Sequence, residues 1–222
     1  PHFQYAPAQI RLELLEHPVE EVLARGEALD VVVGSEVVDV ERATGVPLHV
    51  LSHEEEAYLT LVGVTMGQPV THETLVVDIG GGSSEFCAVA AGGLARAAGL
   101  ALGSNRLTTL HVRDDPPTAG QLDLMAAEAD AILADALMAE PNDLVAVGGT
   151  ASNLLKVTAA GSADRVLTDS RLAEALATLT ARQAAETSER SDVNPTRARL
   201  LPAGAVIVAA LMRHYGVDRV RV

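Results

Sequence analysis

"LVVDIGGGSSEF", Leu75 to Phe86, runs an apolar stretch into a carboxylate, three consecutive glycines, two serines and a second carboxylate. This pattern predicts a buried strand, Thr74 to Asp78, whose carboxyl end carries Asp78. Open α/β sheets place their ligands beyond that end of their strands. Gly80, Gly81 and Gly82 remove every β-carbon from the turn, so backbone amides can approach an oxyanion. Ser83 and Ser84 add hydroxyl donors, while Asp78 and Glu85 supply hard oxygens suited to Mg²⁺ or another divalent cation. The dinucleotide fingerprint does not fit, because Glu85 stands where its third glycine is required, and no Gly-Lys-Ser/Thr of a P-loop follows. Taken alone, the stretch also reads as a plain glycine-rich turn.

Working outward, Glu85 to Ala90 and Leu94 to Leu102 read as two further strands, with Gly92 and Gly93 as their turn, which makes a β-meander. Upstream, Val31 to Gly34 predicts a strand, Ser35 to Thr44 a helix ending at Gly45, Pro47 to Leu51 a strand and His53 to Val64 a helix. Downstream, helices are expected over Thr118 to Ala139, Ser152 to Thr158, Ser170 to Glu189 and Pro202 to His214. Strands are expected at Asp143 to Val147 and Val217 to Val222. Turn residues from Gly67 to His72 mark a boundary between two α/β portions, 1–68 and 69–222.

The 222 residues, 48% hydrophobic and 21% charged, are enough to bury one sizeable core or two small ones. A formal net charge of −14 argues against nucleic acid and anionic membranes as partners. An acidic protein that holds an anion needs local backbone donors or a metal. Apolar runs short of a membrane span, and a start without a basic region followed by an apolar one, make a cytoplasmic address the expectation. The single Cys87 excludes an internal disulfide and is a poor zinc ligand; its apolar neighbours place it in the core.

Two more stretches bear on the site. In "LVAVGGTASNLL", Leu144 to Leu155, a strand runs into Gly148 and Gly149, after which Thr150 and Ser152 open a helix. The unsatisfied amides of such a helix start favour an anion, although the pair also suits a capped strand-to-helix turn. In "SHEEEAYLTLVGV", Ser52 to Val64, Ser52 and Glu55 form a capping box that accounts for the acidic first turn. A glutamate there, bordering a phosphate cleft, can alternatively orient or deprotonate water. His53 and His72 read as structural or solvated.

Together, EEEA before an apolar helix, DIGGGSSE, AVGGTASNL and TRARLLPAGAVIV resemble the exopolyphosphatase and guanosine pentaphosphate phosphohydrolase (Ppx/GppA) family of the actin-like ATPase superfamily. The resemblance runs from about Gly45 to Val222 and implies an actin-like, ribonuclease H-like α/β fold. It implies that Glu56, before Ala57, activates the attacking water, and that Asp78 and Glu85 are metal-associated carboxylates. It assigns Gly80 to Ser83 to one phosphate loop, Gly148, Gly149 and Thr150 to a second, and Arg197 to a phosphate contact. The implied substrates are inorganic polyphosphate or guanosine pentaphosphate, with Mg²⁺ or another divalent cation and, in some members, a homodimer.

The chain also departs from the family pattern. Nothing in Pro1 to Leu29 resembles the opening Asp-x-Gly-Thr/Ser-Asn-Ser loop, Gly34 to Val38 replace a Thr-Ser-Ala-x-Arg segment, and Tyr58 replaces an arginine. The closing Gly-Leu-Arg-Glu-Gly segment is not found before Val222. These departures imply an incomplete first domain. They keep two rivals open, a non-catalytic phosphate- or nucleotide-binding module and an actin-like ATPase or kinase.

Overall fold

A computed structural model describes residues 41–42, 45–91, 95–158 and 164–222. The strand expected at Val31 to Gly34, most of the helix at Ser35 to Thr44, the replaced segment Gly34 to Val38 and the turn at Gly92 and Gly93 lie outside the described residues. The chain divides into two compact units, 1–50 and 51–222. In the first, Glu41 and Arg42 are helical, and Gly45, at φ +68°, donates its N–H to the Glu41 carbonyl at 2.8 Å, the expected helix end. Residues 47–51 are irregular, not the strand expected there; the Leu48 amide is bonded to the Glu41 side chain at 2.7 Å and not to a sheet.

The second unit is built on a six-stranded mixed sheet, in the order β3, β2, β1, β4, β6, β5. Its strands are β1 (Thr74–Ile79), β2 (Ser84–Val89), β3 (Arg96–Leu100), β4 (Asp143–Val147), β5 (Val166–Thr168) and β6 (Arg219–Arg221). β1, β2 and β3 form the expected antiparallel meander, while β1, β4 and β6 run parallel. Helix α1 spans His53–Thr65 and begins on the predicted capping box. The Glu55 amide donates to Ser52 Oγ at 3.2 Å and the Ser52 amide to Glu55 Oε2 at 2.8 Å.

Strand alternation sends the two faces of the sheet to different helices. Val76, Cys87, Val89 and Val145 pack under Ala57 and Leu61 of α1. This explains why α1 belongs with residues 51–222, although the turn residues place a boundary after it at Gly67 to His72: its apolar side is buried on the meander. Leu75, Val77, Ile79, Phe86, Leu144 and Ala146 point the other way, into the main core.

That core is closed by α2 (Ser104–His111), α3 (Ala119–Leu133), α4 (Gly148–Val157), α5 (Asp169–Thr180), α6 (Ala184–Ser191) and α7 (Pro195–Tyr215). α7 packs against each of α2 to α6. By length and average composition it is apolar enough to cross a membrane, yet charged residues interrupt it and 67% of that stretch is buried inside the fold. It is the central core helix.

Four helix expectations change in detail. α3 ends at Leu133, because Ala134, Asp135 and Ala136 tighten into i→i−3 bonds. The long helix at Ser170 to Glu189 is two helices, α5 and α6, separated at 181–183. α7 starts seven residues before Pro202, capped by Asn194 Oδ1 on the Thr196 amide at 2.9 Å with Pro195 in its first turn. α4 begins at Gly148, not at Ser152, whose hydroxyl instead donates back to the Gly148 carbonyl at 3.0 Å.

Candidate functional site

Asp78 and Glu85 face each other across β1 and β2, and Val147 is the partner of Asp78 on the parallel strand β4. The glycine loop after β1 and the glycine start of α4 therefore lie beside one another, at the carboxyl ends of adjacent parallel strands. Gly148 has φ +89°, and a β-carbon there would stand 2.5 Å from Asp78 Oδ1. The Asp78 carboxylate thus lies directly on the second loop, where only a glycine fits.

The first loop is held from below. Gly80 closes the turn by donating to the Ser83 carbonyl at 3.0 Å, while its own carbonyl accepts the Ser104 amide at 3.1 Å. The Gly81 carbonyl accepts the Arg106 amide at 3.0 Å. Two loop carbonyls thus satisfy orphan donors at the start of α2, which has no side-chain cap. Among the described residues, the amides of Gly81, Gly82 and Ser83 meet no backbone or side-chain acceptor. They form a donor surface of the kind that cradles an oxyanion.

The second loop offers the first turn of α4, again without a side-chain cap. Arg197, near the start of α7, reaches it: Nη1 is 2.9 Å from where a Gly149 β-carbon would be. Its guanidinium makes no hydrogen bond or ion pair among the described residues. Thr150 is buried, 3.5 Å through its hydroxyl from Ser104 Oγ, and Ser104 Oγ also lies 3.3 Å from the Gly80 carbonyl. Ser104 so ties the two loops together. Sequence reasoning did not single it out, since its role depends on α2, a helix too short and weakly patterned to be predicted.

Above the sheet, α1 brings Glu56 to the same carboxylates. Burial, then the charges of Glu85 and Asp78, raise the Glu56 pKa, and His53 partly offsets this. Burial and then Glu85 raise Asp78 in the same direction. Both shifts mark a pocket that disfavours more negative charge. His53, read as structural or solvated, instead places Nδ1 2.9 Å from Oε1 of the buried Glu85. His72 does lie apart from the site, 3.8 Å from Asp143.

A sequence profile of the Ppx/GppA phosphatase family matches residues 15–222. The chain belongs to the Ppx/GppA phosphatase family. It is 29% identical over 195 residues to exopolyphosphatase 1 of Mycobacterium tuberculosis and 30% identical over 193 residues to that of Mycobacterium leprae, covering 82% of this chain in each case. The chain spans 57% of the length of these relatives. Among solved structures, the Aquifex aeolicus PPX-GPPA enzyme superposes with a TM-score of 0.69 at 24% identity, over 83% of this chain and 65% of that one. An exopolyphosphatase from Cytophaga hutchinsonii does so at 0.68 and 19%, over 83% and 64%. The α/β fold of this chain is the one these solved structures share.

The fold family implies a divalent cation, and the residues present fit one. Three carboxylates, Glu56, Asp78 and Glu85, share one region, with Glu85 buried and the first two held above their usual pKa. One donor atom each from His53, Glu56 and Glu85 lies within 4.8 Å of the others. The expected pair was Asp78 and Glu85. Glu85 has Asp78 as its register partner and also Glu56 and His53 beside it, while Asp78 leans toward Gly148.

Proposed function

We propose that this chain carries the water-activating glutamate and two phosphate loops of a phosphoanhydride hydrolase. It would release the terminal phosphate of cytoplasmic inorganic polyphosphate, or of guanosine pentaphosphate. The observation that carries this reading is the convergence of Glu56, Asp78 and Glu85 with both glycine loops at one end of the sheet. The exopolyphosphatase relatives support the choice of polyphosphate.

In this mechanism the terminal phosphoryl group rests on the amides of Gly81, Gly82 and Ser83 and on the first turn of α4 at Gly148, Gly149 and Thr150. Arg197 covers it from the side. These fixed dipoles and the guanidinium offset charge on the equatorial oxygens without reorganising during the reaction. Glu56 accepts a proton from water, whose oxygen attacks phosphorus in line as the bond to the bridging oxygen breaks. Orthophosphate and a chain shorter by one unit leave, with no covalent enzyme intermediate. A divalent cation held by Glu85 with its neighbours would neutralise the substrate's charge.

The test is phosphate release from long-chain polyphosphate and from guanosine pentaphosphate by this chain and by Glu56→Gln, with Mg²⁺ present. The mutant should lose about a hundredfold or more in rate. A folded chain that binds polyphosphate but releases no phosphate would overturn the hydrolase reading in favour of a binding module.

A further inference from the structure

His53 is not among the residues that the family resemblance assigns, yet it faces the centre of the carboxylate cluster. It is the first residue of α1, and Glu56 follows it three residues on, so both project from one side of the helix. That side faces β2, where Glu85 is buried. On β3, Gly99 is the register partner of Glu85, and a β-carbon at Gly99 would overlap the His53 ring. A glycine inside a strand commonly marks such a close approach. Here it leaves a cradle that the His53 ring occupies, with Nδ1 turned to Glu85.

The separation of Nδ1 and Glu85 Oε1 is 2.9 Å. Two neighbouring donors each about 2.1 Å from one ion, at a right angle, stand about 3 Å apart. The pair is therefore already spaced as adjacent ligands. The His53 side chain is 55% exposed, which leaves the cluster open to an ion from solution. One imidazolium would offset a single charge of Glu56, Asp78 and Glu85, whereas a dication offsets two.

We propose that His53 is a direct nitrogen ligand beside Glu85, with Glu56 at the edge of the same site and left free to take a proton from water, and that the site therefore prefers Mn²⁺ or Co²⁺ to Mg²⁺. Without an ion, Nδ1–H donates to Glu85. With one, the proton sits on Nε2, and Nδ1 and Oε1 both face the metal. Imidazole suits transition metals, whereas Mg²⁺ favours an all-oxygen shell. The need for a cation rests on the hydrolase reading, but the ligand set is tested without substrate.

The experiment measures binding of Mn²⁺ and of Mg²⁺ to the full chain by calorimetry, and the ¹⁴N coupling of bound Mn²⁺ by pulsed electron paramagnetic resonance. The wild type should bind Mn²⁺ about tenfold or more tighter than Mg²⁺ and show imidazole nitrogen coupling. His53→Ala should lose the coupling and most of the preference. His53→Gln, which can still donate to Glu85 but is a poor ligand, should resemble it. Glu85→Gln should weaken both ions, with circular dichroism confirming that each variant is folded. A His53→Gln variant that keeps the preference, bound Mn²⁺ without nitrogen coupling, or no saturable Mn²⁺ binding would each overturn the proposal. Nitrogen-coupled Mn²⁺ in a chain that fails to hydrolyse polyphosphate would sink the hydrolase reading alone.

Discussion

Replacing Gly148 by alanine probes how tightly the second loop is built onto the first strand. Two costs arise at this position. An L-residue at φ +89° is strained by about 1–3 kcal/mol. Its β-carbon would also lie 2.5 Å from Asp78 Oδ1, closer than real contacts allow, and Asp78 sits on a strand buried on both faces. Turning that carboxylate off its rotamer adds about 0.5–1.5 kcal/mol. A loss of about 2–4 kcal/mol is expected, or roughly 6–12 °C in melting temperature for a unit of this size. Urea unfolding of Gly148→Ala, Asp78→Ala and the double variant separates the two costs. The contact cost should vanish when Asp78 is absent, leaving the backbone strain. Gly82→Ala, whose β-carbon meets nothing within 4 Å, serves as the control and should be close to neutral. A Gly148→Ala penalty no larger than that of Gly82→Ala, or one unchanged by removing Asp78, would refute the placement of Asp78 on this loop.

Three further outcomes follow from the same packing. Because Glu56 and Asp78 are raised in the folded chain, it holds protons that the unfolded chain has already released; stability should therefore fall as pH rises through the folded values, and less so in Glu56→Gln, measured by melting across pH. Gly204→Ala would drive a β-carbon into Thr150 Cγ2 where α7 meets α4; a loss of about 1–3 kcal/mol is expected, partly restored by Thr150→Ser, in chemical denaturation. Burial pushes the Cys87 thiol up, so it should resist a thiol reagent in the folded chain and react once urea unfolds it, read by absorbance.

Much of this architecture was legible because local pattern and tertiary role agree. Strand β4 appears with the predicted bounds, Asp143 to Val147, and the meander appears with Gly80 to Gly82 in its first turn, since both are short apolar runs closed by residues that favour turns. The capping box at Ser52 is a contact among near neighbours and needs nothing else. Helix α2 was invisible for the opposite reason: its start is capped by the carbonyls of Gly80 and Gly81, more than twenty residues back in the chain. Strand β5 is three residues long and exists through its pairing with β6.

The candidate site divides in the same way. The residue types and their spacing singled out Asp78, Glu85, two glycine loops and a glutamate at a helix start as candidate groups, because strand ends and helix starts are where backbone donors are left unsatisfied. Only the tertiary structure decided which of them meet. Register set Asp78 opposite Glu85, and the parallel neighbour β4 carried Gly148 to Asp78. Packing of α1 turned His53 and Glu56 toward Glu85, over the gap left by Gly99. These contacts join positions far apart in the chain. Their geometry depends on strand order and on the absence of single β-carbons, which no local stretch of sequence encodes.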